Sequence, residues 1–126
     1  MSKTTLGLNE NIEGLLCYSL GIISGFVFLI IERESDFVRF HAMQSLVTFL
    51  GLIVVSMVIT IVGMLISLIP IVGILFGIIS LLINLLLPLV GIALWILGMY
   101  KAYKGERYKF PIFGDITENL LKESND

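Results

Sequence analysis

Apolar residues fill two long stretches of the chain, 14–31 and 42–100, and neither contains an Asp, Glu, Lys or Arg. A helix needs roughly 20 apolar residues to cross about 30 Å of hydrocarbon. The first stretch suits one crossing. The second, drawn as one helix rising ~1.5 Å per residue, would be about 90 Å long, so it must turn back. The turn is expected at Ser67-Leu-Ile-Pro-Ile-Val-Gly73, where proline cannot continue the helix ladder and glycine tolerates turn angles. The pattern therefore predicts an all-α membrane helical bundle with three transmembrane helices over 12–31, 38–68 and 73–103, Pro88 lying inside the third. Four is the alternative, if Pro88 and Gly91 break the last stretch into 72–87 and 89–103.

Composition agrees with a lipid setting. The chain is 57% apolar and 14% charged, with a mean hydropathy of +1.02, against about 45–50% apolar and about 25% charged in soluble domains. Three crossings place Arg33, Arg39, Lys101, Lys104, Arg107, Lys109 and Lys122 on one side and Lys3 opposite, an asymmetry that puts the tail in the cytoplasm of a multi-pass cell-membrane protein. The organisation read from this is a polar amino-terminal segment (1–11), a transmembrane bundle (12–104) and a cytoplasmic interfacial tail (105–126). The first apolar run reads as an anchor rather than a cleaved leader, since Glu10 and Glu13 flank it and no small-residue cleavage site follows Ile31.

Little in the sequence suggests chemistry. The single cysteine, Cys17, excludes an internal disulfide, and no Cys/His cluster suggests a metal or cofactor. A charge of −2 and a pI near 5.3 argue against nucleic-acid partners. No His-Glu-x-x-His site, Gly-x-Ser-x-Gly elbow or close pair of intramembrane aspartates is present, so no enzyme and no catalytic residue is expected.

The candidate interface is polar. His41, Gln44, Ser45 and Thr48 recur at three- and four-residue intervals and share a helical face. In lipid such a face turns toward other helices or water. It either bonds neighbouring helices or lines a vestibule. Asn84, deep in the last apolar stretch, is expected to pair with another helix. Small-residue pairs Gly21/Gly25 and Gly73/Gly77 are candidate helix contacts. The aromatic tail 105–115 is expected to fold back toward Arg39 and His41, with Glu106 or Asp115 pairing with Arg39, before a short amphipathic helix over 116–121.

Three blocks carry a resemblance. They are Asn9-Glu-Asn-Ile-Glu-Gly14-Leu-Leu-Cys-Tyr18, Phe37-Val-Arg39-Phe-His41-Ala-Met-Gln44-Ser45, and Ala93-Leu-Trp95 through Lys101-Ala-Tyr103-x-Gly105-Glu106-x-Tyr108-x-Phe110-Pro111-x-x-Gly114-Asp115. Over about residues 9–118 the chain resembles the small Tic-twenty-like membrane proteins, a domain of unknown function grouped with the magnetosome proteins MamF and MmsF. The plastid relatives are usually drawn with four spans and associate with protein import; the magnetosome relatives influence crystal growth. No long acidic loop is present here to carry that mineral role over. The expected role is a noncatalytic interaction or assembly component in the lipid bilayer, as a homo-oligomer or with a membrane-protein partner. The alternative is a small oligomeric channel or carrier.

Overall fold

In the computed structural model, residues 4–125 are described, and they form five helices: α1 Glu10–Ser19, α2 Ile22–Ile31, α3 Asp36–Ile66, α4 Val72–Tyr103 and α5 Phe113–Asn125. No strand occurs among the described residues. The fold is an all-α membrane helical bundle. α3 and α4, at 31 and 32 residues, are long and apolar enough to cross a membrane, and at ~1.5 Å per residue each exceeds a hydrocarbon core of about 30 Å. α4 runs unbroken through Pro88 and Gly91, so the four-span break does not occur. Ser35 caps α3 by accepting from the Val38 N–H at 3.2 Å, and Asn9 caps α1 by accepting from the Asn11 N–H at 2.9 Å, one orphan donor satisfied at each start.

The two long helices turn where proline was expected. Ile71 stands at φ 66°, ψ −63°, and the Val72 N–H reaches the Pro70 carbonyl at 2.7 Å, a γ-turn. The same device recurs before α5. Ile112 has φ 66°, and the Phe113 N–H reaches the Pro111 carbonyl at 2.7 Å. Both turns read Pro-Ile-x-Gly, and in both the glycine N–H bonds the carbonyl of the residue before proline.

The first apolar run differs from the expected single helix over 12–31. It is interrupted at Leu20-Gly21, where Gly21 takes φ 63°, ψ −121°, a backbone that glycine adopts without a Cβ clash. Ser24 ties the break together, accepting from the Leu20 N–H at 3.0 Å and donating to the Cys17 carbonyl at 2.8 Å. Neighbours along α3 show the direction of each half. Gly14 lies against Phe37 and His41, Tyr18 against His41 and Gln44, and Gly21 against Ser45 and Phe49. Gly25 then returns to Ala42 and Ser45, and Leu29 to Arg39. α1 thus descends beside α3 and α2 climbs back. Each arm, ten residues, rises about 15 Å, half the hydrocarbon thickness. The mouth is closed by Thr5, whose N–H and hydroxyl bond the Glu32 carboxylate at 2.9 Å each.

The amino-terminal segment therefore lies at the same end as the 32–35 link, not opposite it, as far as the described residues extend; Lys3 falls outside them. Length and hydropathy could not reveal this, because an apolar run has the same composition whether it crosses or doubles back.

The core sits at this charged end, where Cys17, Tyr18, Val38, Ala42, Ala102 and Phe110 pack together. α5 runs back along α3, with Phe113 beside Gly51 and Leu121 near Asp36 and Arg39. Toward the distant turn α3 and α4 continue as a bare pair with exposed apolar side chains such as Ile53, Val58, Leu82 and Leu86, the surface expected to meet lipid acyl chains.

Candidate functional site

The polar face of α3 is a sealed seam. Gln44 Nε2 donates to the Tyr18 hydroxyl and to the Tyr108 carbonyl, both at 2.9 Å, while its Oε1 accepts the Phe110 N–H at 2.9 Å. These partners fix the amide's orientation, since an N–H needs the oxygen and a carbonyl needs the nitrogen. His41 Nε2 faces the Glu106 carbonyl at 2.9 Å, so in the neutral ring Nε2–H donates there. Nδ1 then accepts from the Tyr18 hydroxyl at 2.6 Å. Tyr18, His41 and Gln44 are fully buried. One chain of hydrogen bonds thus joins α1, α3 and the 106–110 strap, and in so dry a place each bond left unmade would cost about 1–3 kcal/mol.

The remaining candidates fall around this seam. Ser45 donates to the Gly21 carbonyl at 3.0 Å, holding the hairpin tip to α3. Thr48 is buried, and its hydroxyl has no partner among the described residues. Asn84 lies farther along, accepting from the Ser56 hydroxyl and donating to the Ser80 carbonyl at 2.9 Å. Arg39 does not pair with Glu106 or Asp115. Its Nη1 donates to the Leu29 carbonyl at 3.1 Å and the Glu32 carbonyl at 2.9 Å, a cation placed at the negative end of α2. Glu106 pairs instead with Lys101 at 3.3 Å, and Asp115 with Lys109 at 2.9 Å. Lysines on α4 and in the strap thus hold these carboxylates, while the end of α2 engages Arg39.

The glycine candidates separate. A Cβ on Gly25 would stand 2.8 Å from the Ala42 carbonyl and 3.1 Å from the Leu46 nitrogen, so α2 and α3 touch backbone to backbone there. Gly21 serves the hairpin break. Gly73 belongs to the turn, with its nearest atoms in Ser67 and Ile66, and Gly77 has nothing within 4 Å; that pair is no helix contact. Sequence reasoning missed Gly98, against which the Tyr18 ring lies within 2.7 Å of an added Cβ, and Gly14, which admits Phe37 and Ala102.

It also missed the hairpin mouth. Glu32 is fully buried, yet it accepts from the Thr5 N–H, the Thr5 hydroxyl, the Glu34 N–H and the Ser35 N–H at 2.9–3.0 Å. Burial alone would raise this carboxyl. The Thr5 backbone, the Glu13 side chain, the Ser35 backbone and the Thr5 hydroxyl outweigh it and hold Glu32 down at about 2. The sequence signal was Glu10 and Glu13 beside the first apolar run, and it was read only as marking an anchor rather than a cleaved leader.

Among the described residues no group of three or more His, Cys, Asp or Glu is arranged to hold a metal ion. A polar hollow of about 520 Å³ lies between α3 and α5, lined by Asp36, Arg39, Arg107, Glu118, Leu121 and Lys122. Its charges are mixed, and Arg107 and Glu118 already pair at 3.1 Å.

Comparison with known proteins places the chain among membrane proteins. The model of the magnetosome magnetite crystal formation protein family (MamF/MmsF) matches residues 5–117. A UPF0132 membrane protein of Methanocaldococcus jannaschii is 52% identical over 118 residues, covering 94% of this chain and 74% of the relative. A second from that organism is 48% identical over 118 residues, covering 94% of each. One from Archaeoglobus fulgidus is 41% identical over 114 residues, covering 90% of this chain and 97% of the relative. No solved structure matches the chain.

Proposed function

The chain belongs to the magnetosome magnetite crystal formation protein family, and we propose that it acts, as a Tic-twenty-like protein, without catalysis, as an interaction or assembly component of a cell membrane. Its relatives carry the name membrane protein and no named activity. The observation that carries the proposal is the saturation of the Tyr18–His41–Gln44 seam by partners within the chain. A vestibule for a solute needs polar groups left free to bind it. Here those groups lock the strap to the bundle, so contact falls to the outer surfaces: the lipid-facing α3–α4 pair and the charged strip of Arg107, Lys109, Asp115 and Glu118.

The chain crosses twice in this reading, with α1–α2 as a half-depth hairpin entering from the cytoplasmic leaflet. Arg33, Arg39, Lys101, Lys104, Arg107, Lys109 and Lys122 all lie at that end, and the distant turn 67–71 has no charged residue, an asymmetry that orients the tail inward.

Crosslinking in native membranes, read by mass spectrometry, is expected to give a discrete homo-oligomer or one recurrent membrane-protein partner. Monomer alone would overturn the proposal. Solute flux through reconstituted vesicles that Gln44→Ala alters would replace it with a small oligomeric channel or carrier.

A further inference from the structure

The mouth of the hairpin holds two buried carboxyl groups with opposite surroundings. Glu32 has its donors, as described above. Glu13, one turn into α1, is equally buried, and neither of its oxygens meets a donor among the described residues. Its polar neighbours are Thr4, whose hydroxyl donates to the Leu8 carbonyl at 2.9 Å, and Glu32 itself. An ionised carboxylate cannot be left so, because burying one without donors or a cation costs far more than neutralising it.

Among the described residues no cationic side chain bonds Glu13, and the cations on the surrounding helices have other partners. On α1 itself, Glu10 accepts from the Ser35 hydroxyl. On α3, Arg39 bonds the Leu29 and Glu32 carbonyls and His41 bonds Tyr18 and the Glu106 carbonyl, while Asp36, at its start, carries the same charge as a carboxylate. On α4, Lys101 pairs with Glu106. α2 has no titratable residue.

We propose that Glu13 carries a proton which it donates to the Glu32 carboxylate, and that this shared proton locks the α1–α2 hairpin at its mouth. When the proton passes to solvent base, two carboxylates face each other in a dry site, and repulsion releases Glu32 from Thr5 and the start of α1 from the 32–35 link. The lock ties the hairpin to pH on the side where the chain carries its charge. Burial is the main influence on Glu13, countered in part by Thr4 and reinforced by Glu32 and Glu10, and it raises the carboxyl to about 7. Release therefore falls across neutral pH.

The test uses the full chain in lipid discs. Amide hydrogen exchange, corrected for the intrinsic rate at each pH, is followed in segments 4–14 and 32–36 of wild type and Glu13→Gln, a variant that keeps an N–H to give Glu32. Wild type is expected to lose protection at least tenfold between pH 6 and pH 8.5, whereas Glu13→Gln holds its pH 6 protection throughout. Parallel profiles would overturn the lock. Infrared spectra of the unmutated protein supply a reading independent of the variant: the carbonyl stretch of a protonated carboxylic acid must be present at pH 6 and lost by pH 8.5. Its absence at pH 6 would overturn the proposal. So would recovery of protection at pH 8.5 on adding calcium or sodium chloride, which would make the site one for a metal cation.

Discussion

The Tyr18 hydroxyl stands 2.6 Å from Nδ1 of His41 while also accepting from Gln44 at 2.9 Å, so one phenol from the hairpin joins two consecutive turns of α3. Because Gln44 extends the chain to Phe110 and Tyr108, removing its amide leaves a buried N–H and a carbonyl without partners. Gln44→Ala is expected to lower stability by about 1–3 kcal/mol and to free the strap. Thermal unfolding in detergent, with limited proteolysis after Gly105, checks both effects; an unchanged melting temperature would mean that the seam contributes nothing.

Close approach of α2 and α3 gives a contrast between two glycines of the same spacing. Gly25→Ala drives a methyl to 2.8 Å from the Ala42 carbonyl, and the helices must part at a cost of about 1–3 kcal/mol. Gly77→Ala meets open space and should leave stability unchanged or raise it by up to about 1 kcal/mol through helix propensity. Melting curves of the two variants side by side are the measurement, and equal shifts would refute the asymmetry.

The doubled-back hairpin makes a topological forecast that differs from three crossings. Single cysteines replacing Leu6, Glu34, Leu68 and Lys104 in a Cys17→Ala background, treated with a membrane-impermeant maleimide, should label Leu6, Glu34 and Lys104 from one side and Leu68 from the other. Labelling of Leu6 on the side opposite Lys104 would restore a crossing by the first apolar run.

Glu32 sets the acid limit. Its folded value is held below the ordinary 4.5, so on the acid side of the Glu13 transition the stability it contributes is complete above that value and is lost as the pH falls through about 2. Glu32→Gln should therefore melt lower than wild type at pH 6, by up to about 3 kcal/mol, and the difference should shrink on acidification toward pH 2. Circular-dichroism melts over that range test it; a constant gap would assign the effect to packing rather than charge.

Much of the bundle was legible because bilayer physics acts on composition. Residues 42–100 have no charge and a proline-glycine pair near the middle, and hydrocarbon thickness converts that pattern into α3, α4 and the turn between them. The contact of the tail with His41 was legible in outline, since an aromatic segment beside an interface has apolar area to bury. Arg39 was not. Its partners are the backbone carbonyls of Leu29 and Glu32, which exist as a cation site only once α2 ends there. Nor could spacing separate Gly25 from Gly77, because a four-residue interval says which residues share a face and nothing about what that face meets.

The first apolar run marks the boundary most clearly. Its length and hydropathy by themselves determined that residues 14–31 would be helical and would seek lipid. Whether they run straight or double back was decided only by the tertiary structure, through Gly21's φ of 63°, the Ser24 bonds across the break and the closure of Thr5 on Glu32. The same closure decided that Glu13 would be buried without a donor among the described residues. The reason is physical: hydrophobic transfer is non-directional and can be read residue by residue, whereas a hydrogen bond or a buried carboxyl depends on which distant group arrives beside it.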